Sequence, residues 1–231
     1  MSAQAKIRAL AAPLLVWFGL TLGVALLFRS QFAGSLTFYG GLAALWGTAG
    51  GVAVVMLARR GKLRALLTPK SGDVTMGALL GFLLLAATWL GRSTLARMDN
   101  VRQLWLLLVY LQIGSPDAVQ KSVLLTTLVF FVVVCEELVF RGWIFDELEE
   151  LFGPRRAFVF STLGYAAVIA PTIFTLSAPG VGPNPLLFLA ASLLGFVLGF
   201  VRRLQGRITA VILAHAVFTY FSVTQFRLPG L

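Results

Sequence analysis

An all-α, polytopic transmembrane bundle of about seven spans, plus one interfacial or re-entrant helix, is the fold this sequence predicts. Three observations carry it. Of the 231 residues, 58% are hydrophobic and only 12% charged, against about 25% charged in a soluble domain. Apolar runs recur along the chain, each of about 20 residues, the length that crosses a hydrocarbon core of about 30 Å. The charges fall between those runs, so the net charge of +10 reads as membrane topology and not as a nucleic-acid surface. The whole chain, 1–231, is expected to form a single integral membrane domain with the bilayer as its medium.

The first span is expected over Ala11 to Phe28. Its apolar run is too long for a signal-peptide core and no small-x-small cleavage site follows, so it reads as a retained span. The second runs from Leu36 to Ala58 and holds Gly40, Gly41, Gly47, Gly50 and Gly51, small residues that let helices approach closely. Arg59, Arg60, Lys62, Arg64 and Lys70 then form the densest basic loop. The third span covers Val74 to Leu90. Leu104 to Ile113 is apolar but short and is ended by Gly114-Ser115-Pro116-Asp117. It is the expected interfacial or re-entrant helix, with an extra span as the alternative.

The fourth span is expected over Ser122 to Ile144, followed by Asp146, Glu147, Glu149 and Glu150 as a solvated acidic patch. The fifth covers Ala157 to Phe174, with Pro171 placed to end or kink it. The sixth covers Leu186 to Val201. Arg202-Arg203-Leu204-Gln205-Gly206-Arg207 is a basic turn, and the seventh span runs from Ile208 to Phe226. With the N-terminus cytoplasmic, twelve basic residues fall inside and six outside. The positive-inside rule therefore favours an N-in orientation, as in a bacterial cytoplasmic membrane.

The fourth span carries what the other spans lack. Cys135-Glu136-Glu137-Leu138-Val139-Phe140-Arg141-Gly142 closes an apolar run, and ionisable residues in that setting mark function by default. The chain's one histidine, His215, lies in the seventh span. Glu136 is ten residues before Asp146, roughly 15 Å at helical rise, and His215 is eight residues after Arg207, roughly 12 Å. Both therefore sit at one level of the cytoplasmic half.

Glu137 and Arg141, four apart, share a helix face and can pair. Glu136 is turned about 100° away, free to face a cavity and to serve as a general base for water. A neutral His215 can then hold the water, donate to an oxyanion or protonate a leaving group. The alternative is an inert polar cluster that locks the fourth and seventh helices together. Cys135 reads as a small apolar residue more readily than as a nucleophile. One cysteine excludes an internal disulfide. Catalytic zinc usually takes three protein ligands, and adjacent glutamates point apart, so neither metal nor other cofactor is expected.

Glu136-Glu137-x-x-x-Arg141 at the end of a membrane helix, with a histidine in a late helix, resembles the type II CAAX prenyl protease and bacteriocin-processing family of intramembrane endopeptidases. Ser161-x-x-x-Tyr165 resembles the lead-in to that family's second motif, and Gly206-Arg207-Ile208 with His215-Ala216 resembles its late motif. The resemblance covers 122–220 and implies a glutamic-type endopeptidase acting on a membrane-anchored or membrane-embedded protein or peptide. Glu136 would activate water and His215 would stabilise the oxyanion, supported by Glu137 and Arg141.

Two positions depart from the pattern. The second-motif histidine falls on Ile169, and the late asparagine on Thr219, whose hydroxyl can still donate. Three outcomes are open. The chain is an active protease using another polar group such as Tyr165 or Thr172, a specialised sorting protease, or an inactive relative that binds a membrane partner, for instance in peptide immunity.

Overall fold

The computed structural model describes residues 3–225, and for 3–9 the backbone alone. The end of the seventh span at Phe226 and the basic residue Arg227 lie outside the described residues, as do the side chains of Lys6 and Arg8.

The described chain is built of helices joined by short connections, the longest being the loop 176–185. Helices α1 (Ala3–Leu27) and α2 (Leu36–Arg59) are followed by a short α3 (Leu63–Leu67) and by α4 (Asp73–Leu95). Next come α5 (Asn100–Ile113), α6 (Pro116–Lys121) and α7 (Val123–Glu137). A π-helical turn over Leu138–Ile144 leads without interruption into α8 (Phe145–Phe152). Helices α9 (Pro154–Ile169), α10 (Thr172–Thr175), α11 (Leu186–Gln205) and α12 (Thr209–Thr224) complete the bundle.

Six of these segments are long and apolar enough to cross a membrane, and the rod 123–152 is the longest at 30 residues. The chain is thus an integral membrane protein with an all-α polytopic fold. The expected seventh span, α12, is shorter than foreseen at 16 residues. Helix α5 has 14 residues, fewer than the about 20 a crossing takes. Polar side chains pin it to its neighbours. Asn184 Nδ2 donates to the Trp105 carbonyl at 3.0 Å, Gln112 Nε2 to the Leu27 carbonyl at 3.1 Å, and the Tyr39 hydroxyl to the Ile113 carbonyl. The fifth span does break at Pro171: α9 ends at Ile169 and α10 begins at Thr172.

Close helix contacts place the histidine-bearing helix. On α4, a Cβ at Gly77 would come within 2.8 Å of the Ala210 carbonyl, and one at Gly81 within 2.9 Å of Val217 Cβ. Two glycines four apart therefore let α4 and α12 approach backbone to backbone, as small residues do between membrane helices. On α2, Gly50 makes room for Cys135, whose Sγ would lie 2.8 Å from an added Cβ. Cys135 is buried in packing against α2.

The acidic stretch after the fourth span is not a solvated loop. It continues the helix as α8, and Asp146 and Glu147 are buried. The basic loop after α2 folds onto it. Arg60 Nη2 meets Glu147 Oε1 at 2.6 Å, and Lys62 Nζ meets Asp146 Oδ2 at 2.9 Å and Glu150 Oε1 at 2.5 Å. Partial withdrawal from water works against the Lys62 charge, but hydrogen bonds to Glu150 and Asp146 outweigh it and raise its pKa above the ordinary lysine value. Opposite charge so close, and not burial, decides the sign.

Candidate active site

The site is built where α7 gives way to the π-turn. Ser122 caps the helix start by accepting from the Leu125 amide at 3.3 Å, and an apolar run carries the chain to Glu136 and Glu137. The π-turn then widens the backbone, and the Phe145 amide reaches back five residues to the Phe140 carbonyl. Every residue of the turn is buried. Turns of this kind occur often at functional sites.

Glu137 is fully buried. Its Oε1 accepts from Arg141 Nη1 at 3.1 Å, the pairing that the four-residue spacing implied. The same oxygen lies 2.7 Å from His215 Nδ1. Glu136 sits beside it, and its Oε2 accepts from the Tyr165 hydroxyl at 3.0 Å and lies 3.7 Å from His215 Nε2. The Arg141 guanidinium stacks 4.3 Å from the Tyr165 ring centre. Glu136, Glu137, Arg141, Tyr165 and His215 thus form one contiguous cluster from α7, the π-turn, α9 and α12. The shared depth of Glu136 and His215 foreseen from helical rise is realised.

The histidine takes a different partner from the one the spacing favoured. Its hydrogen-bonding contact is with Glu137, and Glu136 is second. With Nδ1 turned to Glu137, His215 presents Nε2 toward Glu136.

Glu136 opens onto an apolar cavity of about 480 Å³, within the range of small-molecule and side-chain pockets. Tyr165, Ile169 and Thr219 share its wall, with apolar residues of α2, α4, α5 and α11 around them. Glu137, Arg141 and His215 are not part of that wall and lie behind Glu136. Ile169 presents only hydrocarbon where a histidine was expected from the resemblance. Thr172 is no substitute for it, because its hydroxyl donates to the Ile169 carbonyl at 2.7 Å at the helix break. The polar group on α9 that reaches Glu136 is Tyr165. Among the described residues, no three His, Cys, Asp or Glu side chains come together in a way that could hold a metal ion.

Two residues at this site escaped the sequence reading. Arg202 looked like one member of a basic turn, yet it is buried and its Nε donates to the Arg141 carbonyl at 2.8 Å. Ser161 was noted for its motif, and its hydroxyl donates to the Phe140 carbonyl at 2.9 Å. Nothing in the local pattern signals either bond, since both depend on how α9 and α11 pack on the π-turn.

No curated protein and no solved structure matches the chain. Residues 118–221 match the family model described as type II CAAX prenyl endopeptidase Rce1-like. The stretch 118–221, which carries Glu136, Glu137, Arg141, Tyr165 and His215, is thus similar to the type II CAAX prenyl endopeptidase Rce1-like family.

Proposed function

We propose that this protein is a glutamic-type intramembrane endopeptidase, CAAX-protease-like, that hydrolyses a peptide bond in a membrane-anchored or membrane-embedded protein or peptide. It would act in processing or sorting, in a bacterial cytoplasmic membrane with its N-terminus inside. The observation that carries this reading is Glu136, a carboxylate on the wall of an apolar cavity, held by Tyr165 and flanked by His215. Among the described residues, Glu137 Oε2 and Arg141 Nη2 are buried without a hydrogen bond, and a partly satisfied buried network costs stability.

In the reaction, Glu136 takes a proton from water as the water oxygen attacks the scissile carbonyl carbon. Charge then develops on the carbonyl oxygen. His215, oriented through Nδ1 by Glu137, stabilises that charge together with the hydroxyl of Thr219. Glu136 passes its proton to the amide nitrogen, the C–N bond breaks, and the carboxylate is regenerated. Tyr165 fills the part for which the chain has no second histidine, by holding the base.

The test compares the termini of membrane proteins by mass spectrometry in cells with wild-type protein, Glu136→Gln or no copy. Termini present only with wild type are expected and identify the substrates. Identical termini in all three, with Glu136→Gln still rescuing a deletion phenotype, would replace this reading by a non-enzymatic membrane-binding or immunity role.

A further inference from the structure

The π-turn is held from outside by two side chains on two different helices. Ser161 of α9 donates to the carbonyl of Phe140, and Arg202 of α11 donates to the next carbonyl, that of Arg141. Phe140 is also the acceptor of the five-residue π hydrogen bond from Phe145. A departure from regular α-helix inside a membrane segment persists when neighbouring groups satisfy the backbone it disturbs.

Arg202 is an unusual donor for this task. It is only 4% exposed, and a buried charge is normally paired with an opposite one. Among the described residues, no carboxylate lies within 4.0 Å of its guanidinium. It instead places that group 4.8 Å from the centre of the Phe145 ring, the residue that closes the π-turn. Its hydrogen bond thus falls on the turn and its ring contact on the residue that follows it, while Glu149 and Asp146 of α8 supply opposite charge from farther away.

The residue whose carbonyl is held, Arg141, is the one whose side chain reaches Glu137 at 3.1 Å. Glu137 in turn contacts His215 Nδ1 at 2.7 Å through the same oxygen. We infer that Arg202, assisted by Ser161, is a positioning residue: it fixes the π-turn so that Arg141 and Glu137 hold the His215 imidazole in one orientation toward Glu136. A free turn would relax toward regular α-helix, shifting the Arg141 backbone and loosening the carboxylate that orients the ring. The geometric part of this inference stands by itself, and only its consequence for rate rests on the proposed function.

The experiment uses the fact that the chain has one histidine. The full protein, labelled with ¹⁵N-histidine and held in lipid nanodiscs, shows a single imidazole by NMR, with separate Nδ1 and Nε2 signals. Arg202→Gln is expected to move or split those signals in the direction seen with Glu137→Gln, and to change their pH titration. Arg203→Gln, the same charge change one residue on, is expected to leave them as in wild type. If Arg202→Gln does not accumulate, Ser161→Ala removes the other half of the clamp with every charge kept, and the same displacement is expected. Imidazole signals and titration superimposable on wild type, in whichever of these variants folds, overturn the inference.

On a substrate identified from the termini comparison, Arg202→Gln is expected to lower kcat about 10- to 100-fold by misplacement of the site, with KM little changed. An altered imidazole with no proteolysis even in wild type would sink the catalytic reading and leave the clamp standing. An unaltered imidazole in an active wild-type enzyme would do the reverse.

Discussion

Two clusters of charge lie nine residues apart on one continuous helical rod, and they live in different media. At Glu137 the carboxylate is fully buried and its partners Arg141 and His215 are too. At Asp146 to Glu150 the partners are Arg60 and Lys62, whose side chains are 28% and 37% exposed. Distances are alike in the two places, 2.7–3.1 Å against 2.5–3.5 Å. The consequences are not. Water reaches the cationic partners and Glu150 at the rim, whereas in the interior it reaches neither side of the pair. Similar contact geometry therefore signifies a replaceable latch at one end of the rod and an irreplaceable one at the other.

The largest expected effect comes from breaking the dry cluster on one side. Glu137→Gln leaves Arg141 buried without its counter-charge, and a loss of about 3–5 kcal/mol is expected, read as a lower melting temperature in detergent. An unchanged melting temperature would refute the pairing as a stabilising contact. Removing both charges sharpens the point. Glu137→Leu with Arg141→Met is expected to recover part of that loss, because two apolar groups of similar size need no partners. A double variant as unstable as the single one would show that His215 and not Arg141 is the group left stranded.

Next in size is Tyr165→Phe, which removes the hydrogen bond to Glu136 and keeps the ring under Arg141. A cost of about 0.5–1.5 kcal/mol in stability is expected, together with a fall in proteolysis of about tenfold or more if the hydroxyl serves the transition state. Full activity in that variant would remove Tyr165 from the mechanism.

The smallest effects are expected at the rim. Lys62→Met is expected to cost less than about 1 kcal/mol, and 1 M salt is expected to erase the difference from wild type because the pair is screened there. The pH dependence has a definite sign. The Lys62 pKa is higher in the folded protein, so its contribution is complete below the unfolded lysine value of about 10.4 and fades as pH rises through the folded value. Melting curves of wild type and Lys62→Met are therefore expected to converge above that range. Curves that stay parallel into strong alkali would show that the loop is held by other contacts.

The two clusters also differ in how far they could be read in advance. The Glu137–Arg141 pair follows from a spacing of four on a helix, and it forms despite the π-turn that starts at Leu138. The depth of Glu136 and His215 follows from counting residues from charged helix ends. The rim could not be read this way. Asp146 and Glu147 look like a wet loop because nothing local announces Arg60 and Lys62, which arrive from a loop 84 to 90 residues earlier. The glycines of α2 were noticed for their density, while Gly77 and Gly81, which seat α12, were passed over in a run that looked merely apolar.

By itself the sequence determined the membrane class, the number and order of the long helices to within one short helix, and the carboxylates and histidine that meet. Those features rest on length, periodicity and axial rise, which a chain carries locally. Only the tertiary structure decided which glutamate takes the histidine, that Tyr165 and not Thr172 reaches Glu136 beside Ile169, and that Arg202 holds the turn. Each of these depends on rotation and approach between helices distant in sequence, where a difference of about one ångström separates a hydrogen bond from none.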